Sequence, residues 1–160
     1  MNSTLQVIPG DLADPRVVDL IREHLQGMHA SSPPGSVYAL DLSGLQTPDI
    51  SLFTAWQGEA LLGCAALKQL DARSGEIKSM RTAAAHLRKG AAARLLEHLL
   101  ALARSRGYRR VSLETGTGAP FEPALSLYAR YGFEVGAPFG GYTPTTFNRF
   151  LHLALDDRGE

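Results

Sequence analysis

Arg88 and Lys89 stand directly before Gly90-Ala91-Ala92-Ala93, where a strand pattern gives way to a long helical one. Two cations at the amino end of a helix oppose its macrodipole, at a cost of about 0.3–1 kcal/mol each. No Ser, Thr, Asp or Asn occupies the cap position, so the free N–H groups of the first turn lack the usual side-chain acceptor. A bound anion resolves both faults: Gly90 lets it approach the backbone, and the three alanines keep the first turn free of bulk. The segment has neither the paired glycines and Lys-Ser/Thr of the Walker pattern nor the G-x-G-x-x-G of dinucleotide binders. The reading that needs no ligand is an alanine-rich helix start beside a surface strand.

Charge placement supports the anion. The 160 residues carry sixteen basic and sixteen acidic side chains, a formal net charge of zero, which disfavours generic binding to nucleic acid or a membrane surface. That neutrality is a sum of opposites. Residues 81–110 hold Arg81, Arg88, Lys89, Arg94, Arg104, Arg106, Arg109 and Arg110 against Glu97 alone, whereas residues 1–60 hold seven acids against Arg16 and Arg22. Some of these arginines belong to a solvated helix face, the ordinary fate of a charge run.

The elements that must position this turn follow from periodicity. Thr4–Ile8 reads as a strand and Pro15–Met28 as a helix, with Asp14 as N-cap and Val17, Val18, Ile21 and Leu25 at helical spacing. Ser31-Ser32-Pro33-Pro34-Gly35 opens an irregular stretch reaching about Pro48, long for a compact domain and of the kind that carries function. Ile50–Trp56, Ala60–Gln69 and Glu76–Thr82 predict an antiparallel meander. Gly90–Arg106 is amphipathic, with Ala92, Leu95, Leu96, Leu99, Leu100 and Ala103 on one face. A strand at Arg110–Glu114, a helix at Pro123–Tyr131 ended by Gly132, and strands at Phe133–Val135 and Arg149–Leu155 complete the chain. The expected architecture is one α/β (α+β) domain over residues 1–160. Its central sheet of six to seven strands is mixed and mostly antiparallel, with helices on both faces.

With 44% hydrophobic and 20% charged residues the chain is globular. It contains no window near the roughly 20 apolar residues of a membrane span, and its single cysteine, Cys64, fits a buried small hydrophobe in a reducing compartment, so the cytoplasm is expected. His24, His29, His86, His98 and His152 lack ligand spacing, so no metal is expected.

At the strand–helix junction the sequence resembles the GNAT superfamily of acyl-CoA-dependent N-acetyltransferases. That family's pyrophosphate signature, Gln/Arg-x-x-Gly-x-Gly/Ala, is met by Leu87-Arg88-Lys89-Gly90-Ala91-Ala92, with Leu87 replacing the usual Gln or Arg. Leu127-Tyr128-Ala129-Arg130-Tyr131-Gly132-Phe133 is similar to its L-Y-x-x-x-G-F signature. The likeness covers about Ile50–Leu155, and a narrower one, through Glu76–Thr82 and Leu113–Gly116, points to a bacterial subgroup of uncharacterised acetyltransferases.

The resemblance implies transfer of an acetyl group from acetyl-CoA, as co-substrate, to an amine of a small molecule or protein, by direct attack in a ternary complex. It implies that Leu87 to Ala93 (Leu87, Arg88, Lys89, Gly90, Ala91, Ala92, Ala93) lie around the pyrophosphate. Met80, Arg81 and Thr82 would offer backbone groups to the pantetheine arm. Phe121 falls where many relatives carry an Asn contacting that arm. Such a reaction needs a proton acceptor, because a lysine-like amine is charged below a pKa of about 10.4, and an acid for the departing thiolate. Tyr128 is the implied acid, although Ala124, Leu127, Tyr128 and Tyr131 also form the helical stripe of a core aromatic. Glu76 is the implied base, fourteen residues before Gly90, where the histone-acetylating branch places its base; strand alternation sets it on one face with Lys78, Met80 and Thr82. The other reading of Glu76 is a solvated carboxylate paired with Lys78 or Arg81. Glu114 either contacts an amine substrate or is a structural strand-end acid.

A non-catalytic acyl-CoA-binding module is the competing class, which retention of Tyr128 disfavours. An RNA-binding role for Arg104–Arg110 is disfavoured because the segment lacks interleaved aromatics. A homodimer through an edge strand is compatible with the sequence.

Overall fold

The computed structural model describes residues 5–31, 47–82, 90–140, 142 and 144–155. Most of the irregular stretch before Pro48, and the turn residues Leu87, Arg88 and Lys89, fall outside them. The elements follow in the order β1 (Leu5–Pro9), α1 (Pro15–Ser31), β2 (Ile50–Gln57), β3 (Ala60–Asp71), β4 (Ser74–Thr82), α2 (Ala91–Ser105), β5 (Arg110–Thr115), α3 (Glu122–Arg130), β6 (Glu134–Val135) and β7 (Arg149–Ala154). A short 3-10 turn, Ala119–Phe121, leads into α3.

Asp14 caps α1 as expected, its Oδ1 accepting the Arg16 N–H at 2.9 Å while its carbonyl accepts those of Val17 and Val18 at 3.1 Å. The helix continues past the expected Met28 to Ser31. Gly90 is the cap of α2 rather than its first residue. Phe133 is not a strand residue, since its N–H is taken up in closing α3.

The seven strands form one sheet in the order β1-β2-β3-β4-β5-β7-β6. Every pairing is antiparallel except β4 with β5, which is the mixed, mostly antiparallel sheet expected from the element order. Helices cover both faces. On one, Ala91, Leu95, Leu96, Leu99, Leu100 and Ala103 of α2 and Leu127 and Tyr128 of α3 pack with Leu62, Ala65, Leu67, Ile77, Val111 and Leu113. On the other, Val17, Leu20 and Ile21 of α1 pack with Leu52, Trp56, Cys64 and Ala66. Full burial of each large apolar side chain contributes about 1.5–3 kcal/mol. Ala91, not the expected Ala92, completes the buried stripe of α2.

Two of the sheet's three register shifts bear on the site. In β3, Leu62 is the extra residue between the pairs Trp56↔Leu61 and Ala55↔Gly63. In β4, the step from Lys78 to Arg81 lies opposite the shorter step from Ala66 to Cys64. A bulge inserts one residue and reverses the alternation beyond it.

Candidate active site

The parallel pair is the place where the sheet opens. β4 and β5 are in register only at Ser74↔Arg110, Gly75↔Val111 and Glu76↔Ser112. Beyond these rungs β4 stays on β3 as far as Thr82, and β5 stays on β7 as far as Thr115. The two strands therefore diverge into a wedge at their carboxyl ends, the position at which open α/β sheets take ligands.

The amino end of α2 follows the outgoing end of β4. Gly90 has φ +83°, makes no side-chain cap bond, and would carry a Cβ into open space. Glycine is thus required by the backbone conformation and not by crowding. The first helical hydrogen bond runs from Arg94 N–H to Gly90 C=O at 3.1 Å, so the N–H groups of Ala91, Ala92 and Ala93 precede it, outside the helix's own ladder.

Tyr128 lies on the face covered by α2 and α3. Its ring is buried, and its O–H donates to the thioether Sδ of Met80 at 3.4 Å. Burial raises its pKa above that of a free phenol, so the group holds its proton. The L-Y-x-x-x-G-F signature fixes this ring. Gly132, at φ +94°, donates its N–H to Ala129 C=O, and Phe133 donates to Tyr128 C=O, both at 3.1 Å. These two bonds are a Schellman closure of α3. Its accompanying apolar contact is the edge-to-face pair of Phe133 and Tyr128, with centroids 5.6 Å apart.

Met80 reaches Tyr128 because of the β4 bulge. Alternation alone places Met80 with Glu76 and Lys78, but the extra residue after Lys78 turns it to the opposite face, where it packs against the α2 and α3 core. Arg81 and Thr82 end the strand opposite Cys64 and Gly63 of β3. Phe121 lies edge-to-face on Phe147 with centroids 5.5 Å apart, and both rings close over Gly116, where a Cβ would come within 2.6 Å of Phe121 and 2.4 Å of Phe147.

The carboxylates occupy the other face. Glu76 is 3% exposed and accepts hydrogen bonds from the Tyr142 hydroxyl and, at 3.3 Å, from Lys78 Nζ. Lys78 also donates to the Tyr142 oxygen at 2.6 Å. Glu76 is therefore a buried, paired carboxylate, and not a solvated one.

Glu114 lies two residues beyond Ser112, the partner of Glu76 in the ladder. Desolvation pushes its pKa from 4.5 up to about 7, with the Glu76 charge adding to the rise; a hydrogen bond to Asn148 and the Lys78 cation oppose it. Asn148 is itself buried, its Oδ1 accepting from Thr145 N–H at 2.8 Å and Thr145 Oγ1 at 3.1 Å. The structure thus gathers Glu76, Lys78, Glu114, Tyr142 and Asn148 into one polar group. Sequence reasoning left Tyr142 and Asn148 unassigned, because both lie in the irregular segment between β6 and β7, Tyr142 being 66 residues from the Glu76 it bonds and Asn148 one strand and one helix beyond Glu114.

Among the described residues no group of three or more His, Cys, Asp or Glu is placed to hold a metal ion. No described helix is long and apolar enough to cross a membrane.

Comparison with known proteins agrees with this fold. The chain is 53% identical over 132 residues to the uncharacterized N-acetyltransferase YsnE of Bacillus subtilis, covering 82% of this chain and 87% of that protein. It is 44% identical over 150 residues to the uncharacterized N-acetyltransferase YedL of Escherichia coli, covering 94% of each. Its fold matches a GNAT family acetyltransferase of Elizabethkingia anophelis, crystallised with acetyl-CoA bound, at a TM-score of 0.68 and 20% identity, over 94% of this chain and 98% of that one. A Bacillus subtilis acetyltransferase in complex with CoA matches at 0.70 and 19%, over 95% and 99%. The profile of the Acetyltransferase (GNAT) family spans residues 17–133, from α1 through the Schellman closure of α3, and the chain belongs to that family.

Proposed function

We propose that this chain is an acetyl-CoA-dependent N-acetyltransferase that acylates a primary amine of a small molecule or protein by direct attack in a ternary complex. The observation that carries the reading is a proton donor and a proton acceptor on opposite faces of one wedge: Tyr128 protonated and aimed at a sulfur atom, Glu114 poised near neutrality.

The residues present fit acetyl-CoA, which supplies the activated acyl group as a thioester. The N–H groups of Ala91, Ala92 and Ala93, opened by Gly90, suit a pyrophosphate, with Leu87, Arg88 and Lys89 adjoining them in sequence. Met80, Arg81 and Thr82, on β4 beyond its last rung with β5, would offer backbone groups to the pantetheine arm. The Phe121 ring, packed on Phe147, gives that arm an apolar neighbour where an amide is common in the family.

The acceptor amine arrives largely as ammonium and must lose a proton to attack. The Glu76–Glu114 pair supplies the base, Glu114 being the member that titrates near pH 7 while Lys78 and Tyr142 hold Glu76 in place. As nitrogen bonds to the acyl carbon and the carbon–sulfur bond breaks, its electron pair leaves on sulfur and takes the Tyr128 proton. The second nitrogen proton, shed as the amide forms, passes through water to the phenolate, and the carboxylate releases to solvent the proton it took from the ammonium, so the cycle closes. Cys64 is fully buried in the α1-facing core, which supports direct attack over an acyl-cysteine route. A lone buried thiol also fits a reducing compartment, and the cytoplasm is the proposed location.

The test is an acetylation screen over polyamines, amino acids, aminoglycosides and peptide amines, reading release of the free CoA thiol beside acetyl-CoA binding. Thiol release that depends on a particular amine is expected. Tight acetyl-CoA binding without release on any amine would replace the enzyme by a binding module.

A further inference from the structure

The acceptor of the Tyr128 hydroxyl is an unusual one. A fully enclosed phenol normally bonds to a carbonyl, a carboxylate or water, yet here the O–H donates to the Met80 thioether at 3.4 Å. Thioether sulfur is a weak acceptor. Met80 occupies that position only because the β4 bulge turns it away from the face of Glu76 and Lys78. Leucine or isoleucine would fill the same core space without an acceptor. Glutamine would offer a strong one.

We propose that Met80 is a positioning residue for Tyr128, its sulfur holding the hydroxyl on a weak acceptor until the sulfur of the thioester replaces it. The inference rests on the role given to Tyr128 above and deepens it. The bond orients the hydroxyl, one rotor with no other preference, and leaving it costs little because the exchange is of sulfur for sulfur. A strong acceptor at the same place would satisfy the phenol too well, and the enzyme would have to break that bond in every turnover. A hydrogen bond held only in the ground state raises the barrier by its own strength.

The experiment compares the wild type, Met80→Gln, Met80→Leu and Tyr128→Phe, together with both Met80 substitutions in the Tyr128→Phe background. The first readout is binding, independent of turnover: calorimetric Kd for CoA and for desulfo-CoA, which lacks the thiol. The wild type is expected to prefer CoA by several fold, Tyr128→Phe to abolish the preference, and Met80→Gln to reduce it at least threefold while leaving the desulfo-CoA Kd within twofold. The second readout is kcat. Met80→Gln is expected to lower it about tenfold and Met80→Leu about threefold, and neither to lower it further once Tyr128 is Phe. Met80→Leu conserves volume, so it keeps the test open if the glutamine variant folds poorly.

Equal losses from the Met80 substitutions with and without the Tyr128 hydroxyl, or an undiminished CoA preference in Met80→Gln, would overturn the positioning role alone. An unchanged kcat in Tyr128→Phe would remove Tyr128 as the acid, and Met80 with it.

Discussion

Replacing Glu114 by Gln should make the protein more stable and far less active, and both effects should appear only above a definite pH. Burial moves this carboxyl from 4.5 to about 7. At 1.36 kcal/mol per pKa unit, that rise corresponds to roughly 3 kcal/mol against the charged form. The group is partly exposed, so solvent screening reduces the effective figure to about 1–2 kcal/mol.

The sign follows from linkage. A carboxyl whose folded pKa is raised contributes stability that is fully present below the unfolded value, near 4.5, and is lost as pH climbs to about 7. Glu114→Gln carries no charge at any pH and escapes that loss. Urea unfolding of wild type and variant should therefore differ little at pH 4.5 and diverge through pH 7, with the variant ahead by about 1–2 kcal/mol at pH 8.

Activity should move the opposite way. The kcat/KM of the wild type should rise with pH through an apparent value near 7, the signature of a base in the free enzyme. Glu114→Gln should lose that limb together with about 10²–10⁴-fold in rate. Lys78→Met, which removes an opposing cation, should push the limb higher, and Glu76→Gln, which removes a like charge, should pull it lower. A limb near pH 7 that survives Glu114→Gln would refute the assignment, as would a variant no more stable than wild type at pH 8.

Other substitutions probe the frame. Gly132→Ala places a side chain at φ +94° and should cost about 1–2 kcal/mol in thermal unfolding, with kcat falling more than the affinity for acetyl-CoA because the closure behind Tyr128 loosens. Gly90→Ala meets no steric obstacle but carries the same penalty at φ +83°, so it should weaken acetyl-CoA binding several fold while leaving the pH limb of Glu114 in place. Leu99→Ala, at a position with no exposure, should lose about 2–5 kcal/mol from the α2 core, read by urea denaturation.

Local patterns predicted much of this molecule, and their failures share a cause. The apolar stripe of α2, the Asp14-Pro15 start of α1 and the Gly132 stop of α3 are written within a few residues, and each element lies within three residues of its expected bounds. The face of Met80 is different. Alternation predicts it to lie beside Glu76, and the reversal arises from a bulge whose only record is the pairing of β4 with β3. No property of Lys78, Ser79, Met80 and Arg81 marks the extra residue. Tyr142 and Asn148 were hidden for a similar reason: they reach Glu76 and Glu114 from far along the chain, in a segment with no period to read. Glu76 drew attention through its spacing from Gly90, but its burial and its pairing with Tyr142 depend on that distant segment.

The three-rung ladder between β4 and β5 has a mechanical side as well. It is a seam joining two half-sheets, β1-β2-β3-β4 and β5-β7-β6. Met80 and Glu76 belong to the first half, Tyr128 and Glu114 to the second, so the hydroxyl with its sulfur and the two carboxylates are each split across it. A slip along the seam would misalign both pairs together, and Tyr142, bonded to Glu76 and Lys78 from the second half, acts as a rivet against it. Whatever binds in the wedge bridges the halves, and at a hundred times its Kd it adds about 2.7 kcal/mol to the stability of the whole. Amide exchange at the rungs should slow on binding more than in the centre of α2, whose hydrogen bonds lie within the helix itself.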